Sequence, residues 1–246
     1  MPTLRFRRWS VAVMILALLC AAPLNPAIAL APDEPAGPLF LTSADVDLLK
    51  LLPPPPAVGS PAHKRDLLEL EKLQAQRTKA RVAQAIADQE ETVWRFLEGM
   101  DKPIDKTKIP QASKLFRTVY ETIRSITAPA KDHFKRVRPP YVDAKLKPVV
   151  KLTKSYSHPS THATYGTTVS LIVAEMVPEW RAKILEHGRD FGVSRMVGGV
   201  HYPTDVEAGR IAGTLIANSL FHNAAFKAAF EPAKAELRAA LGLQQS

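Results

Sequence analysis

Apolar residues along this chain recur at three- and four-residue steps in long blocks, and nowhere alternate with polar ones over a useful length. From Asp66 to Met100, Leu67, Leu70, Leu73, Val82, Ile86, Val93 and Leu97 are spaced this way among Lys, Arg, Glu and Gln, which predicts a helix. Residues 101–110 read as a loop. Ala112 to Ile126 is again helical, with Leu115, Val119, Ile123 and Ile126 on one side, and Pro129 permits a new start near Lys131. Arg138-Pro139-Pro140 ends that segment, and residues 141–158 are a Lys-rich, Pro-punctuated loop. Small and apolar residues dominate from Ser160 to Val177, which predicts a buried helix with Ser160 as its N-cap and Pro178 closing it. Further helices are expected over 179–197, broken by Gly198-Gly199, then over 204–221 and 224–241. The fold class is therefore all-α: a single-domain helical bundle without internal repeats.

The N-terminus departs from this pattern. Arg5, Arg7 and Arg8 precede an apolar run from Trp9 to Ala22, and Ala27-Ile28-Ala29 is a small-x-small cleavage pattern, so residues 1–29 read as a secretory signal peptide. The run is shorter than the roughly 20 residues of a membrane span, and Pro23 and Pro26 follow it. Localisation in the periplasm or outside the cell follows, with no membrane attachment after the leader is cut. Cys20 is the single cysteine and lies inside the leader, so a chain cleaved after Ala29 carries no thiol and no disulfide. A lipoprotein signal would place a small residue where Leu19 stands. Residues 30–60 form a Pro-rich lead-in ending in Pro53 to Pro56, which is neither helix nor inner strand. Residues 61–246 form the domain proper. The formal net charge of +9 falls to +6 without the three leader arginines. The cations are dispersed among carboxylates and are not interleaved with aromatics, which argues against nucleic acid and suits small phosphorylated substrates.

Candidate chemistry sits in three clusters of the second half: Lys131 with Arg138, then Ser160-Thr161-His162, then Ser194-Arg195 with His201 and Asp205. Three cations, a hydroxyl, two imidazoles and a carboxylate are what is needed to hold a phosphate, attack it and protonate what leaves. Ser160 and the amides of Thr161 and His162 open a helix, where unpaired donors and the dipole favour an anion. Lys131 and Arg138 are seven residues apart, two helical turns if the helix continues that far, so both reach one pocket. Arg195 completes the clamp with a planar fork matched to phosphate oxygens. Asp205 lies four residues after His201, close enough to fix its tautomer and leave the other ring nitrogen as nucleophile. His162 is then available as general acid.

Taken in order, Lys-x6-Arg-Pro, Pro-Ser-x-His and Ser-Arg-x5-His-x3-Asp resemble the signature of the type 2 phosphatidic acid phosphatase superfamily. Within it, the chain is similar to bacterial class A non-specific acid phosphatases, and the Leu52 to Pro56 stretch resembles the start of their mature chains. The resemblance implies a phosphomonoesterase that forms a phosphohistidine on His201, oriented by Asp205. His162 protonates the departing alcohol and later activates water. Lys131, Arg138, Ser160, Thr161 and Arg195 bind the phosphate, and no metal or other cofactor is implied. Thr161 departs from the family, which usually has Gly there, and a β-branched residue is expected to alter rate or substrate range.

Other readings remain open at this level. Taken singly, His201 with Asp205 is a structural pair, and Lys131 with Arg138 is a solvated helix face. His158, His162, His201 and Asp205 also offer a metal-ligand set, which the three neighbouring cations oppose. A vanadium-dependent haloperoxidase uses a phosphate-shaped anion in the same kind of pocket, and a non-catalytic phosphate-binding protein is the alternative from another class. A homo-oligomer is compatible with the sequence. His63, His133, His187 and His222 match no motif position.

Overall fold

The structure is a computed structural model that describes residues 37–98 and 104–244. The expected signal peptide, 1–29, lies outside the described residues, as does Met100. Among the described residues the secondary structure is helical, without strands. In order, the α-helices are α1 (Leu48–Leu51), α2 (Pro61–Gln76), α3 (Lys79–Ala87), α4 (Pro110–Phe134), α5 (Pro139–Val142), α6 (Thr161–Met176), α7 (Arg181–Val197), α8 (Pro203–His222) and α9 (Ala224–Leu241). Short 3-10 turns at Val93–Phe96, Lys106–Lys108 and Pro178–Trp180 join some of them. None of the described helices is long and apolar enough to cross a membrane.

The helix expected over 66–100 is divided. Ser60 caps α2, its side chain accepting from the His63 amide, with Pro61 in the first turn. Arg77 then adopts extended dihedrals, and Thr78 caps α3 by accepting from the Arg81 amide. A hydroxyl that caps a new helix here outcompetes continuation, although strong helix formers flank it on both sides. A second departure runs the other way. The segment expected to restart after Pro129 is one helix, α4, running from Pro110 through Pro129 to Phe134. Pro129 lies on the exposed face of α4, where a carbonyl deprived of its i+4 donor is open to water. The helix ends at Lys135, whose φ of 48° is left-handed. Lys131 and Arg138 therefore do not share a helix face. Arg138 lies beyond the stop, in extended backbone as the N-cap of α5.

The lead-in contributes to the core. Leu41, Val46, Leu48 and Leu52 are buried in the main apolar cluster. The Gly37 and Phe40 amides donate to Thr118 and Thr122 of α4, and Asn223 donates to the Phe40 carbonyl. Pro53 to Pro56 are neither helical nor extended-sheet, as their chemistry requires.

At the centre lies α6, whose buried residues include Ala163, Tyr165, Val169, Ser170, Ile172 and Val173, on all sides of the helix. It packs chiefly against α7 and α8, while α4 packs on α9 and α6. The contact with α8 is close because of Gly209. A Cβ there would lie 2.5 Å from the Ser160 carbonyl oxygen and 2.7 Å from the Ala163 Cβ. With glycine at 209, the start of α8 comes against the start of α6, and the Ser160 amide donates to the Asp205 carbonyl at 3.0 Å. Between α7 and α8 the chain turns at Gly199, whose φ of 74° lies in the region that favours glycine. This turn brings His201 back toward Arg195.

Candidate active site

The start of α6, the ends of α4 and α7, and the turn into α8 deliver the three clusters to one place. Ser160 caps α6, its hydroxyl accepting from the Ala163 amide at 3.3 Å, and it is fully buried. Thr161 is the first residue of α6, in helical backbone, so this position does not need a glycine-only conformation. The His158–Pro159 bond before it is cis.

Near the end of α4, the ammonium of Lys131 donates to the Pro159 and Tyr156 carbonyls at 2.6 and 2.9 Å, on the loop that leads into α6. Burial, and next the like charge of Arg138, lower its pKa to about 7. The Arg138 guanidinium spans the site. Nε and Nη2 donate to the Ser155 carbonyl and hydroxyl at 2.8 and 3.0 Å, and Nη1 donates to the Val200 carbonyl at 2.9 Å.

Nη1 of Arg138 also lies 2.9 Å from His201 Nε2. A guanidinium only donates, so Nε2 carries the lone pair and the ring proton is on Nδ1. Nδ1 faces Asp205 Oδ2 at 3.4 Å, the i,i+4 contact expected from the sequence. Burial, and then the Arg138 charge, keep the imidazole well below its ordinary pKa and therefore neutral.

Asp205 is a hub. Oδ2 also accepts from the Tyr202 amide at 3.0 Å, while Oδ1 receives Arg136 Nη1 at 2.6 Å and faces His158 Nδ1 at 3.4 Å. Burial alone would raise this carboxyl, but the facing His158 and His201 rings and the Arg136 charge hold it well below the usual range. Arg136 in turn donates to Asp66 of α2 and to the Thr204 hydroxyl, both at 2.7 Å, and lies 3.8 Å above the Tyr202 ring. Its own backbone carbonyl accepts from the Ser157 amide at 2.8 Å.

From the end of α7, Arg195 is buried, 4% exposed, and its Nε and Nη1 have no hydrogen-bond partner among the described residues. Buried donors without acceptors are rare, and an anion is one partner that would satisfy them. Burial lowers this guanidinium to about 10, with Arg138 adding to the shift and Glu91 and Asp88 opposing it, so it stays charged at neutral pH. Its neighbour Ser194 is pinned from behind, donating to the buried Asp88 at 2.5 Å and accepting from Arg81 at 2.9 Å.

His162, the second residue of α6, stacks on Phe191 with centroids 5.8 Å apart. Nε2 lies 3.2 Å from the Gln89 carbonyl and Nδ1 3.2 Å from Glu91 Oε1. Burial, then Arg195, push the ring well below its ordinary pKa.

Of the eight residues singled out from the sequence, Lys131, Arg138, His162, Arg195, His201 and Asp205 belong to one electrostatically coupled region, and Ser160 and Thr161 open the helix that carries His162. The reading of Lys131 with Arg138 as a solvated helix face fails, because Arg138 is buried and lies beyond the end of the helix that carries Lys131. The four-residue metal set is not assembled either: His158 and His201 flank Asp205, whereas His162 faces Glu91. Glu91, Arg136 and Asp66 are site residues that sequence reasoning missed, and His158 was noticed only as a possible ligand.

A helical fold that gathers cations, two imidazoles and a carboxylate around the start of a buried helix defines a protein built for a tetrahedral oxyanion. Residues 118–228 match the PAP2 superfamily. The non-specific acid phosphatase of Providencia stuartii is 33% identical over 203 residues, covering 79% of this chain and 82% of its own. An acid phosphatase of Zymomonas mobilis is 32% identical over 206 residues, covering 79% and 76%. The chain belongs to the PAP2 superfamily, on the side of its non-specific acid phosphatases. Its fold resembles that of a transmembrane PAP2-type phosphatidylglycerolphosphate phosphatase from Bacillus subtilis, with a TM-score of 0.51 and 20% identity over 72% of this chain and 94% of that one. It also resembles a bacterial vanadium-dependent iodoperoxidase, with a TM-score of 0.52 and 18% identity over 68% of this chain and 52% of that one. At these identities the likeness is one of fold alone.

Proposed function

We propose that the chain is an exported phosphomonoesterase that works through a phosphohistidine on His201 and requires no metal ion. The observation that carries this reading is the state of His201: a buried neutral imidazole with Nδ1 on a carboxylate and the Nε2 lone pair facing only a guanidinium. The phosphate dianion of a small ester occupies the two open donors of Arg195, the remaining donors of Lys131 and Arg138, and the amides at the start of α6. As a stronger acceptor than an imidazole, it draws Arg138 Nη1 away from Nε2 and frees the nucleophile.

Nε2 then forms a bond to phosphorus while the ester P–O bond breaks, its electron pair staying on the leaving oxygen. His162 supplies the proton for that oxygen, and Asp205 stabilises the imidazolium charge that develops on His201. Water attacks the phosphohistidine in the second half, giving up a proton to His162, and inorganic phosphate leaves. The cations that hold the phosphate also carry the charge stabilisation a metal supplies elsewhere. The names of the acid phosphatase relatives support the substrate class, and the N-terminal pattern of residues 1–29 supports export.

His201→Ala tests the assignment directly. Hydrolysis of p-nitrophenyl phosphate is expected to fall by about four orders of magnitude or more with the fold retained. Residual turnover within tenfold of wild type overturns the nucleophile assignment.

A further inference from the structure

Glu91 belongs to none of the three motif clusters, yet its Oε1 is buried 3.2 Å from His162 Nδ1 and has no aligned hydrogen bond among the described residues. It sits on the segment between α3 and the 3-10 turn, two residues after Gln89, whose carbonyl lies 3.2 Å from the opposite nitrogen of the same ring. Both ring nitrogens thus face oxygen atoms. A carbonyl only accepts, so Nε2 carries a proton. Between Nδ1 and Oε1 there is room for one more, either on the ring as an imidazolium facing a carboxylate or on Glu91 as an acid donating to a neutral ring. The two states hold the same number of protons.

We propose that Glu91 is the positioning residue that shares this proton with His162 and so makes it able to protonate the leaving group. The inference rests on the assignment of His162 as general acid. Alone, His162 is poorly placed for that task. Burial and the charges of Arg195 and Lys131 disfavour an imidazolium, and a neutral imidazole is a weak acid. With Glu91 protonated, the step balances as a relay. Nε2–H leaves the Gln89 carbonyl and goes to the leaving oxygen as the ester P–O bond breaks, while the Glu91 proton passes to Nδ1. The ring stays neutral and changes tautomer, and Glu91 becomes a carboxylate. In the second half, water loses a proton to Nε2 as it attacks phosphorus, and the Nδ1 proton returns to Glu91.

The surroundings suit both states of Glu91. Burial raises its pKa to about 7, while Arg195 from α7 and Arg124 and Lys131 from α4 pull it down. Tyr120 of α4 and Tyr165 of α6 also face it, and both phenols are pushed upward by burial and then by the Glu91 charge, so they stay neutral. The carboxyl is therefore protonated at mildly acidic pH and, once ionised, is met by three cations.

Leaving-group dependence tests this, because a relay that supplies a proton matters little for an ester whose alcohol is already a good leaving group. Glu91→Gln keeps the shape but has no proton to share. Its kcat/KM for an alkyl phosphate such as glycerol phosphate is expected to fall by about 10²-fold or more, and for 2,4-dinitrophenyl phosphate by less than about fivefold. The share of the wild-type alkaline limb near pH 7 that Glu91 carries should also be lost, leaving the share set by Lys131. An equal fall for both substrates marks a purely structural role and overturns the inference. If Glu91→Gln does not fold, Glu91→Asp, one methylene shorter, is expected to show the same selectivity at about tenfold, and an equal fall again overturns it. His162→Ala measured in parallel separates the two levels: if it lacks the selectivity, the general-acid assignment fails; if it has the selectivity and Glu91→Gln does not, only the role of Glu91 fails.

Discussion

Replacing Arg136 by Met should destabilise this protein more than removing Lys131, Arg138 or Arg195. Arg136 is 8% exposed and makes three charge-assisted contacts: to Asp205 Oδ1 at 2.6 Å, and to Asp66 Oδ2 and the Thr204 hydroxyl at 2.7 Å. Asp66 and Asp205 are themselves 4% and 0% exposed. Met fills a similar volume, so the perturbation is electrostatic: two buried carboxylates lose their common cation. Removing one partner of a buried pair costs about 3–5 kcal/mol. The Thr204 hydroxyl still donates to Asp66 at 2.5 Å, and His158 and His201 still face Asp205, so the total stays at about 4 kcal/mol rather than doubling. For a domain of this size that is a Tm drop of about 8–16 °C. Thermal unfolding at pH 7, followed by circular dichroism, measures it. The double variant with Asp66→Asn should recover about 1–3 kcal/mol, because one of the stranded charges is gone. A Tm drop below about 3 °C, or strictly additive effects in the double variant, refutes the reasoning.

Two further outcomes follow from the same geometry. His162 and His201 are held neutral in the fold but take up protons near pH 6.5 when unfolded, so their contribution is present above 6.5 and is lost as pH falls. Asp205 extends the loss below pH 3.8; Glu91 acts oppositely, its contribution being complete below 4.5 and lost as pH rises through about 7. The unliganded Tm should therefore fall between pH 6.5 and 5, more steeply in Glu91→Gln, and a flat or rising Tm over that window contradicts the burial of both imidazoles. For Thr161→Gly, the helical backbone at 161 removes any need for glycine, leaving only the added bulk beside the phosphate site. We expect a change of about 2–10-fold in kcat/KM that differs among phosphomonoesters, and identical kinetics across several substrates would show that the threonine is neutral.

The helices were legible in the chain because their apolar period is regular, and the places where the reading failed share a cause. At Thr78, the residues on either side favour a helix, so periodicity ran on through a break that a single hydroxyl decides. At Pro129, local chemistry argued for a stop, but the buried Ile126, Thr127 and Ala130 hold the backbone in register across it. Burial of one face outweighed one missing hydrogen bond. The consequence reached the site: Arg138 comes from an extended segment after the left-handed Lys135, and still meets His201.

The residues proposed to touch phosphate were legible because they sit in short blocks whose internal spacing has a geometric meaning. Those that hold them were not, because their contacts have no local spacing to read. Asp66 reaches Thr204 across 138 residues, Arg136 reaches Asp205 across 69, and Ser194 reaches Asp88 across 106. Glu91 lay within an expected helix, where a carboxylate looks like ordinary solvated surface. Its distinction arises only when α3, α4, α6 and α7 close around it and withdraw water. Arg136 was equally hidden inside the six residues between Lys131 and Arg138. A catalytic imidazole needs more than its nearest carboxylate: burial strips the charged states of solvent, so each one must be balanced by a partner brought from elsewhere in the fold. On this argument Asp66, Arg136 and Glu91 stand to His201 and His162 as Asp205 does, and only the last was close enough in sequence to be seen.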